Sequence, residues 1–575
     1  MIDFKVYSHS RDTEGMLRDI IALVLVLGLP FLLFLGDLPL IDPDEGRYAQ
    51  IPREMLQRGD LITPTLNQVK YFEKPPLLYW INAASLKLFG LTEFAARLPS
   101  ALCGLLTILS TYVIGRKLYD RRTALIAAFI LGTSLGFVLQ SRIILTDMLL
   151  TFCLTSALGA FIVATLKERR HSSGIWYLFY AFSALAVLAK GLIGFVFPAG
   201  IIFLFMLLTK RWHVLAHMRL ASGLLLFLAI AAPWFIAVSI RNPEFAQFFF
   251  IHEHLERFTS NVHGRYQPFW FFVPVLAGTM LPWSFFIPAA MGKAWRERRH
   301  NRGDAGIFLL IWILLIFTFF SKSSSKLIPY MLPIFPPLAM LIASRFSSLL
   351  SNRDRGFSLA MLMLGITLTL LGAGAISYAY LPQVSSFISG IIPQLSAPLN
   401  RFVQHAPQLA FNSCMFVGVL FCLQGIVSIW SCNKKPAFLL VTLISCSFAL
   451  ELVVPQTIMP EIAQAESPRE LALKANQLAG PETRIITFGP MQAVSWYTGK
   501  RVMVTGQIDE LTFGSKQGDQ QAWFPDRQTV LNLWGSDSHV LIMLKQHELN
   551  GLINDLNPAP RVVAKGGRRV MISNK

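Results

Sequence analysis

Runs of about 20 apolar residues recur through the first 455 residues of this 575-residue chain, and a helix of that length spans a hydrocarbon core. About 13 such runs are centred near Val26, Leu106, Leu131, Leu154, Leu185, Ile202, Phe227, Val275, Leu314, Ala339, Thr367, Leu420 and Leu443. The first, Ile20 to Leu38, follows a polar stretch with Lys5, Arg11 and Arg18 and has no small-residue cleavage site after it, so it reads as a retained span. Composition agrees: 54% of residues are hydrophobic and only 15% charged, against about a quarter charged in soluble domains.

The net charge of +18 does not point to nucleic acid, because it is not concentrated in a patch. Basic clusters fall in alternate loops: Arg116, Lys117, Arg121 and Arg122 after the second run, Lys167, Arg169 and Arg170 after the fourth, and Lys210, Arg211 and Arg219 after the sixth. The pattern continues with Lys293 to Arg302, with Arg345, Arg353 and Arg355, and with Lys434 and Lys435. Such alternation places the even loops in the cytoplasm and the odd loops on the other face. The six cysteines lie in or beside apolar runs and form no disulfide framework or metal-ligand spacing.

The organisation reads as a membrane domain over residues 1–455 and a soluble domain over residues 456–575. The tail carries 13 Lys and Arg against 11 Asp and Glu. Strand-like segments begin at Arg484, Arg501 and His539, and a helical pattern runs from Arg469 to Leu478, so a small α/β domain is expected. No phosphate loop or dinucleotide fingerprint occurs in it.

Chemistry-bearing residues gather on the outer face. The first outer loop, residues 42–89, holds Asp42, Asp44 and Glu45, then Arg47, Tyr48 and Arg53, then Tyr71, Glu73 and Lys74. Its aromatic and apolar content predicts amphipathic helices lying along the bilayer surface. Asp147 opens the fourth run, where a carboxylate at the edge of hydrocarbon is costly and either paired, functional or a helix cap. The outer loop 241–267 carries His252, Glu253, His254 and Arg257 within one and a half turns. Lys322, Lys326 and Tyr330 lie between the ninth and tenth runs. Arginines and lysines on outer loops run against the topological bias, so they call for anionic partners. Lys and Arg suit a phosphate, and separated carboxylates suit acid–base or electrostatic work at a glycosidic centre. A transporter is the competing class, but it would place its ionisable groups near the midplane, often in repeats.

These stretches resemble the membrane-integral GT-C glycosyltransferases that use lipid-phosphate sugars, which include protein O-mannosyltransferases. They are most similar to the bacterial lipid A aminoarabinose transferase family. The resemblance is carried by Asp42-Pro-Asp-Glu-Gly-Arg-Tyr, Tyr71-Phe-Glu-Lys-Pro-Pro-Leu-Leu-Tyr-Trp, Arg142 through Asp147, Glu253-His-Leu-Glu-Arg-Phe, Pro268-Phe-Trp through Pro282-Trp, and Lys326-Leu-Ile-Pro-Tyr. It implies a GT-C-like polytopic α-helical fold in a bacterial inner membrane, with the active site and the tail domain in the periplasm. It implies Asp44 and Asp147 as catalytic carboxylates. Lys74, Arg257 and Arg47 would bind the donor phosphate, and Tyr48, Tyr71, Lys326 and Tyr330 would line the substrate pocket. Glu73 and His254 would form a metal pair for a divalent cation. The implied donor is a sugar on undecaprenyl phosphate, the acceptor is lipid A or another envelope molecule, and the surroundings are membrane lipids. The reaction would be a direct, inverting displacement. A phosphate acceptor is already anionic and needs no general base, so the two carboxylates would position it or stabilise charge on the sugar.

Overall fold

The computed structural model describes residues 3–166, 173–256, 267–298, 303–350, 355–380, 407–431 and 436–575. Apolar composition makes nine of the described helices long enough to cross a membrane unbroken, from Glu14–Leu32 to Pro436–Glu466. Two further spans are bent pairs: Arg121–Gly132 with Leu135–Ser141, bent by 65°, and Phe272–Thr279 with Trp283–Glu297, bent by 113°. The expected runs at Leu185 and Ile202 fall on the shorter helices Gly174–Lys190 and Ile193–Thr209. At 1.5 Å per residue each falls slightly short of a hydrocarbon core of about 30 Å. Length and composition therefore support up to 11 spans among the described residues, against about 13 expected, the other two expected runs being these shorter helices.

Capping and close packing order the bundle. Thr92 and Asp120 each accept a backbone N–H of the helix they start, from Ala95 and Thr123. The helices Arg355–Tyr380 and Pro407–Ser431 meet along glycines: a Cβ at Gly372 would stand 2.6 Å from the Cys422 Sγ and the Gly418 carbonyl. Small residues allow this approach, which suits a bilayer where no hydrophobic drive joins helices.

The first outer loop folds as the helix Asp44–Arg58, a tight hairpin of β1 (Thr65–Leu66) and β2 (Val69–Lys70), and the helix Leu77–Phe89. The helices form as expected, but Asp44–Arg58 is buried over most of its surface instead of lying open on the bilayer. Its cover is the tail domain, whose helix Gln492–Thr498 packs on it. Gly46 permits that contact, since a Cβ there would stand 2.9 Å from the Ala493 Cα.

The tail domain is α/β, as its strand pattern predicts. Its sheet contains β3 (Arg484–Phe488), β4 (Met503–Thr505), β5 (Val540–Lys545), β6 (Arg561–Gly566) and β7 (Arg569–Ser573), in the order β4-β3-β5-β7-β6. β3 runs parallel to β4 and β5, and β7 is antiparallel to β5 and β6. The helix Pro436–Glu466 continues past residue 455 and carries the chain into this domain. Leu541 and Met543 alternate with Val540, Ile542 and Leu544, so both faces of β5 are buried, as a central strand requires.

Candidate active site

Three neighbouring acids of the first outer loop go to three partners. Glu45 makes a buried, two-pronged pair with Arg97, at 2.8 and 2.6 Å, and accepts the Ile144 N–H at 3.2 Å. Arg97 also donates to the carbonyls of Leu35, Leu38 and Pro39. This pair ties the loop to the second and fourth spans. Asp42 accepts the Ala493 N–H at 2.9 Å, which ties the loop to the tail domain. Burial pushes Asp42 up to about 7, against the opposing pull of Arg569, the Ala493 N–H and Arg47. Asp44 is left with its side chain half exposed and pairs with Arg47 at 3.0 Å.

Arg47 is buried and holds a second carboxylate, Glu510 of the tail domain. Burial is the largest influence and opposes its charge, but Glu510, Tyr71, Tyr48 and Asp44 together outweigh it, so its pKa lies above the usual value. The Arg47 guanidinium also lies 5.6 Å over the Tyr48 ring, and Tyr48 stacks on Tyr79 at 6.2 Å. Tyr71 is 1% exposed and its hydroxyl has no hydrogen-bond partner among the described residues. Burial raises its pKa, and the neighbouring Glu73 carboxylate raises it further.

Lys74 lies 3.5 Å from Glu253 and 3.8 Å from Glu73. Glu253 sits on a wide π-type helix, Gln247–Glu256, a form often found at functional sites. The helix is braced by the Lys70–Glu244 ion pair and by Phe248 against Phe513 of the tail, 4.1 Å between ring centres. Asp147, in the first turn of Thr146–Leu166, forms a buried ion pair with Lys190. The Lys190 ammonium lies 4.6 Å over the Tyr330 ring.

These groups border two cavities. One, of about 250 Å³, is lined by Lys74, Lys190, Glu73, Glu253 and Tyr330, with Ile193, Val196, Phe319 and Phe320 as apolar walls. The other, of about 530 Å³, lies beneath the tail domain between Glu244, Phe248 and Glu510, and shares Glu73 and Glu253 with the first. The first cavity can take an anion with an apolar chain: two ammonium groups, beside the Glu73 and Glu253 carboxylates, face a pocket whose remaining walls are largely apolar. The second is lined mainly by acids, Glu73, Glu244, Glu253, Asp509 and Glu510, with Lys516 as the cation in its lining.

The sequence expectations distribute as follows. Lys74, Glu73 and Tyr330 line the first cavity, and Asp147 reaches it through Lys190. Asp44 and Arg47 connect to the second through Glu510. Tyr48 and Tyr71 pack behind Arg47 instead of lining a cavity. Lys326, expected in the pocket, is engaged beside it: it donates to the backbone carbonyls of Ser323, which lines the first cavity, and, at 2.8 Å, Gln267. An ammonium buried beside an irregular loop satisfies those carbonyls, and this use competes with binding a ligand. Arg257 and the His254 side chain lie outside the described residues. Among those described, Glu73 and Glu253 share a wall, but no three His, Cys, Asp or Glu side chains gather as metal ligands.

Sequence reasoning missed Lys190 and Glu510. Lys190 had a signal, a lysine at the outer end of an apolar helix against the topological bias. Glu510 had none, since one acid in a polar tail is unremarked.

The family model described as dolichyl-phosphate-mannose-protein mannosyltransferase matches residues 40–249. That described as the aminoarabinose transferase C-terminal domain matches residues 471–574. A Sodalis glossinidius protein named undecaprenyl phosphate-alpha-4-amino-4-deoxy-L-arabinose arabinosyl transferase 1 is 30% identical over 496 residues, 83% of each chain. The like-named protein of Pseudomonas aeruginosa strain LESB58 is 35% identical over 365 residues, so the chain spans 65% of that relative's length. The crystal structure of ArnT from Cupriavidus metallidurans bound to undecaprenyl phosphate superposes with a TM-score of 0.80 at 27% identity, covering 97% of this chain and 98% of that one.

Proposed function

Because this chain belongs to the undecaprenyl phosphate-alpha-4-amino-4-deoxy-L-arabinose arabinosyl transferase family, we propose that it transfers 4-amino-4-deoxy-L-arabinose from undecaprenyl phosphate to a phosphate of lipid A. The reaction takes place on the periplasmic face of a bacterial inner membrane. The observation that carries this reading is the first cavity, where Lys74 and Lys190 face hydrocarbon walls beside paired carboxylates. A polyprenyl phosphate has that shape, an anion on an apolar chain.

In this mechanism the donor phosphate lies at Lys74, with Arg257 as a second cation. Their charge stabilises the phosphate as it leaves the sugar, and the low dielectric between the apolar walls strengthens that effect. The acceptor phosphate attacks the anomeric carbon from the side opposite the leaving phosphate, inverting it. It is already an anion, so Asp44 and Asp147 do not serve as bases. They stabilise the positive charge that develops on the ring. Arg47, held by Glu510, keeps Asp44 oriented, and Lys190 does the same for Asp147. A divalent cation held by Glu73 and His254 would add positive charge beside the leaving phosphate.

The test is the mass added to lipid A when the chain is expressed in a strain lacking its own transferase. Gain of one aminopentose per modified phosphate is the expected result. Unmodified lipid A with a different glycan or protein carrying the sugar would replace the acceptor, and a donor translocated without being consumed would point to a transporter.

A further inference from the structure

Outside the lining of both cavities, at the middle of the helix Pro436–Glu466, stands a carboxylate that the mechanism does not use. Glu451 is 2% exposed, and neither of its carboxylate oxygens has a hydrogen-bond partner among the described residues. An ionisable group at hydrocarbon depth is costly and ordinarily marks a site that supplies its partner.

Glu451 lines a small cavity of about 40 Å³ together with Thr133, Pro282, Gln424 and Ser447. Both bent spans break there: Thr133 follows the helix Arg121–Gly132, and Pro282 precedes the turn Trp283–Phe286. Trp283 joins the two breaks, its Nε1 donating to the Thr133 hydroxyl at 3.2 Å and carbonyl at 3.3 Å. Broken helices are tolerated inside a membrane where they line a cavity, and their ends coordinate ions in transporters.

Size and donor chemistry select the ligand. A water needs about 10–15 Å³ by this measure, so the cavity holds a few waters or one small ion, and no sugar or lipid headgroup. The oxygen-bearing side chains in its lining are the carboxylate of Glu451 and those of Thr133, Ser447 and Gln424, set among leucine and phenylalanine side chains. The Gln424 Nε2 is engaged with the hydroxyls of Ser428 at 3.4 Å and Thr442 at 3.3 Å, which leaves its oxygen to offer. One carboxylate among neutral oxygens balances one positive charge, whereas divalent ions gather more carboxylates. We propose that the Glu451 cavity is a binding site for a monovalent metal cation, Na⁺ or K⁺, which locks the two broken spans to the last membrane helix.

The experiment uses the full chain in lipid nanodiscs. Its thermal unfolding is followed in NaCl, KCl or N-methylglucamine chloride at equal ionic strength, at pH 6 and at pH 9. The expected result is a saturable rise of several degrees in the midpoint with Na⁺ or K⁺ over N-methylglucamine, and loss of that rise in Glu451→Gln. If Glu451→Gln does not fold, Ser447→Ala replaces it and should need several-fold more cation for the same rise. An identical midpoint in all three salts overturns the proposal. So does a response that persists in Glu451→Gln, or a midpoint that follows pH alone, which would mean a protonated carboxyl only.

Discussion

The ammonium of Lys190 is ion-paired to Asp147, with both side chains buried at 9% and 8% exposure. Removing one partner strands the other charge away from water. Asp147→Asn and Lys190→Met should each cost about 3–5 kcal/mol. The double change Asp147→Asn with Lys190→Met should recover most of that stability while transfer stays lost. Unfolding midpoints of the three variants in nanodiscs, beside lipid A mass spectra, give the comparison; additive losses would show that the two do not act as a pair.

Asp44 has a half-exposed side chain and one described salt-bridge partner, Arg47. Asp44→Asn should therefore leave protein level and unfolding unchanged while lowering transfer by roughly 100-fold or more, the scale on which charge stabilisation acts at a reacting centre. Lipid A modified at the normal rate in that variant would remove Asp44 from the mechanism.

Lys74 faces the cavity between Glu73 and Glu253. A charged hydrogen bond to the donor phosphate contributes about 1.5–3 kcal/mol, so Lys74→Ala should raise the donor KM roughly 10- to 100-fold. Lys74→Arg should restore part of it, and the acceptor dependence should not move. A change confined to the acceptor would reassign the residue to acceptor binding.

Asp42 couples pH to the seating of the tail domain. Burial raises its pKa from 3.8 to about 7, so the folded chain keeps a proton that the unfolded chain has released across that interval. Stability should fall by about 1.4 kcal/mol per pH unit from near pH 4 towards pH 7 and level off above it. Asp42→Asn should remove that slope. Denaturation between pH 4.5 and 8.5 reads it, and parallel curves for the two proteins would refute the assignment.

Gly46 lets the first outer loop and the tail domain touch, with the Ala493 Cα 2.9 Å from where a Cβ would be. Backbone on the far side of that contact cannot give way cheaply. Gly46→Ala should lift the tail from the loop, speeding limited proteolysis near Glu466, and reduce transfer through loss of the Arg47–Glu510 pair. Unaltered proteolysis and transfer would show that the contact is dispensable.

The membrane spans, the gathering of the motifs on one set of alternate loops, and the strands at Arg484, Met503 and Val540 were legible in the residues themselves. They follow from hydropathy, charge alternation and period, which are properties of short stretches of chain. The hairpin Arg561–Ser573 was also open to such a reading, since Gly566 and Gly567 mark its turn, yet it was not among the expected strands. The site was legible only in part. Asp42, Asp44 and Glu45 look alike in sequence, and only the fold sends them to Ala493, Arg47 and Arg97. Lys190 beside Asp147, Glu510 beside Arg47, and Lys326 turned onto backbone carbonyls are likewise meetings between distant segments. Hydropathy and spacing say which side of a membrane a residue occupies; packing of the helices and the tail decides which charges face each other across a few ångströms.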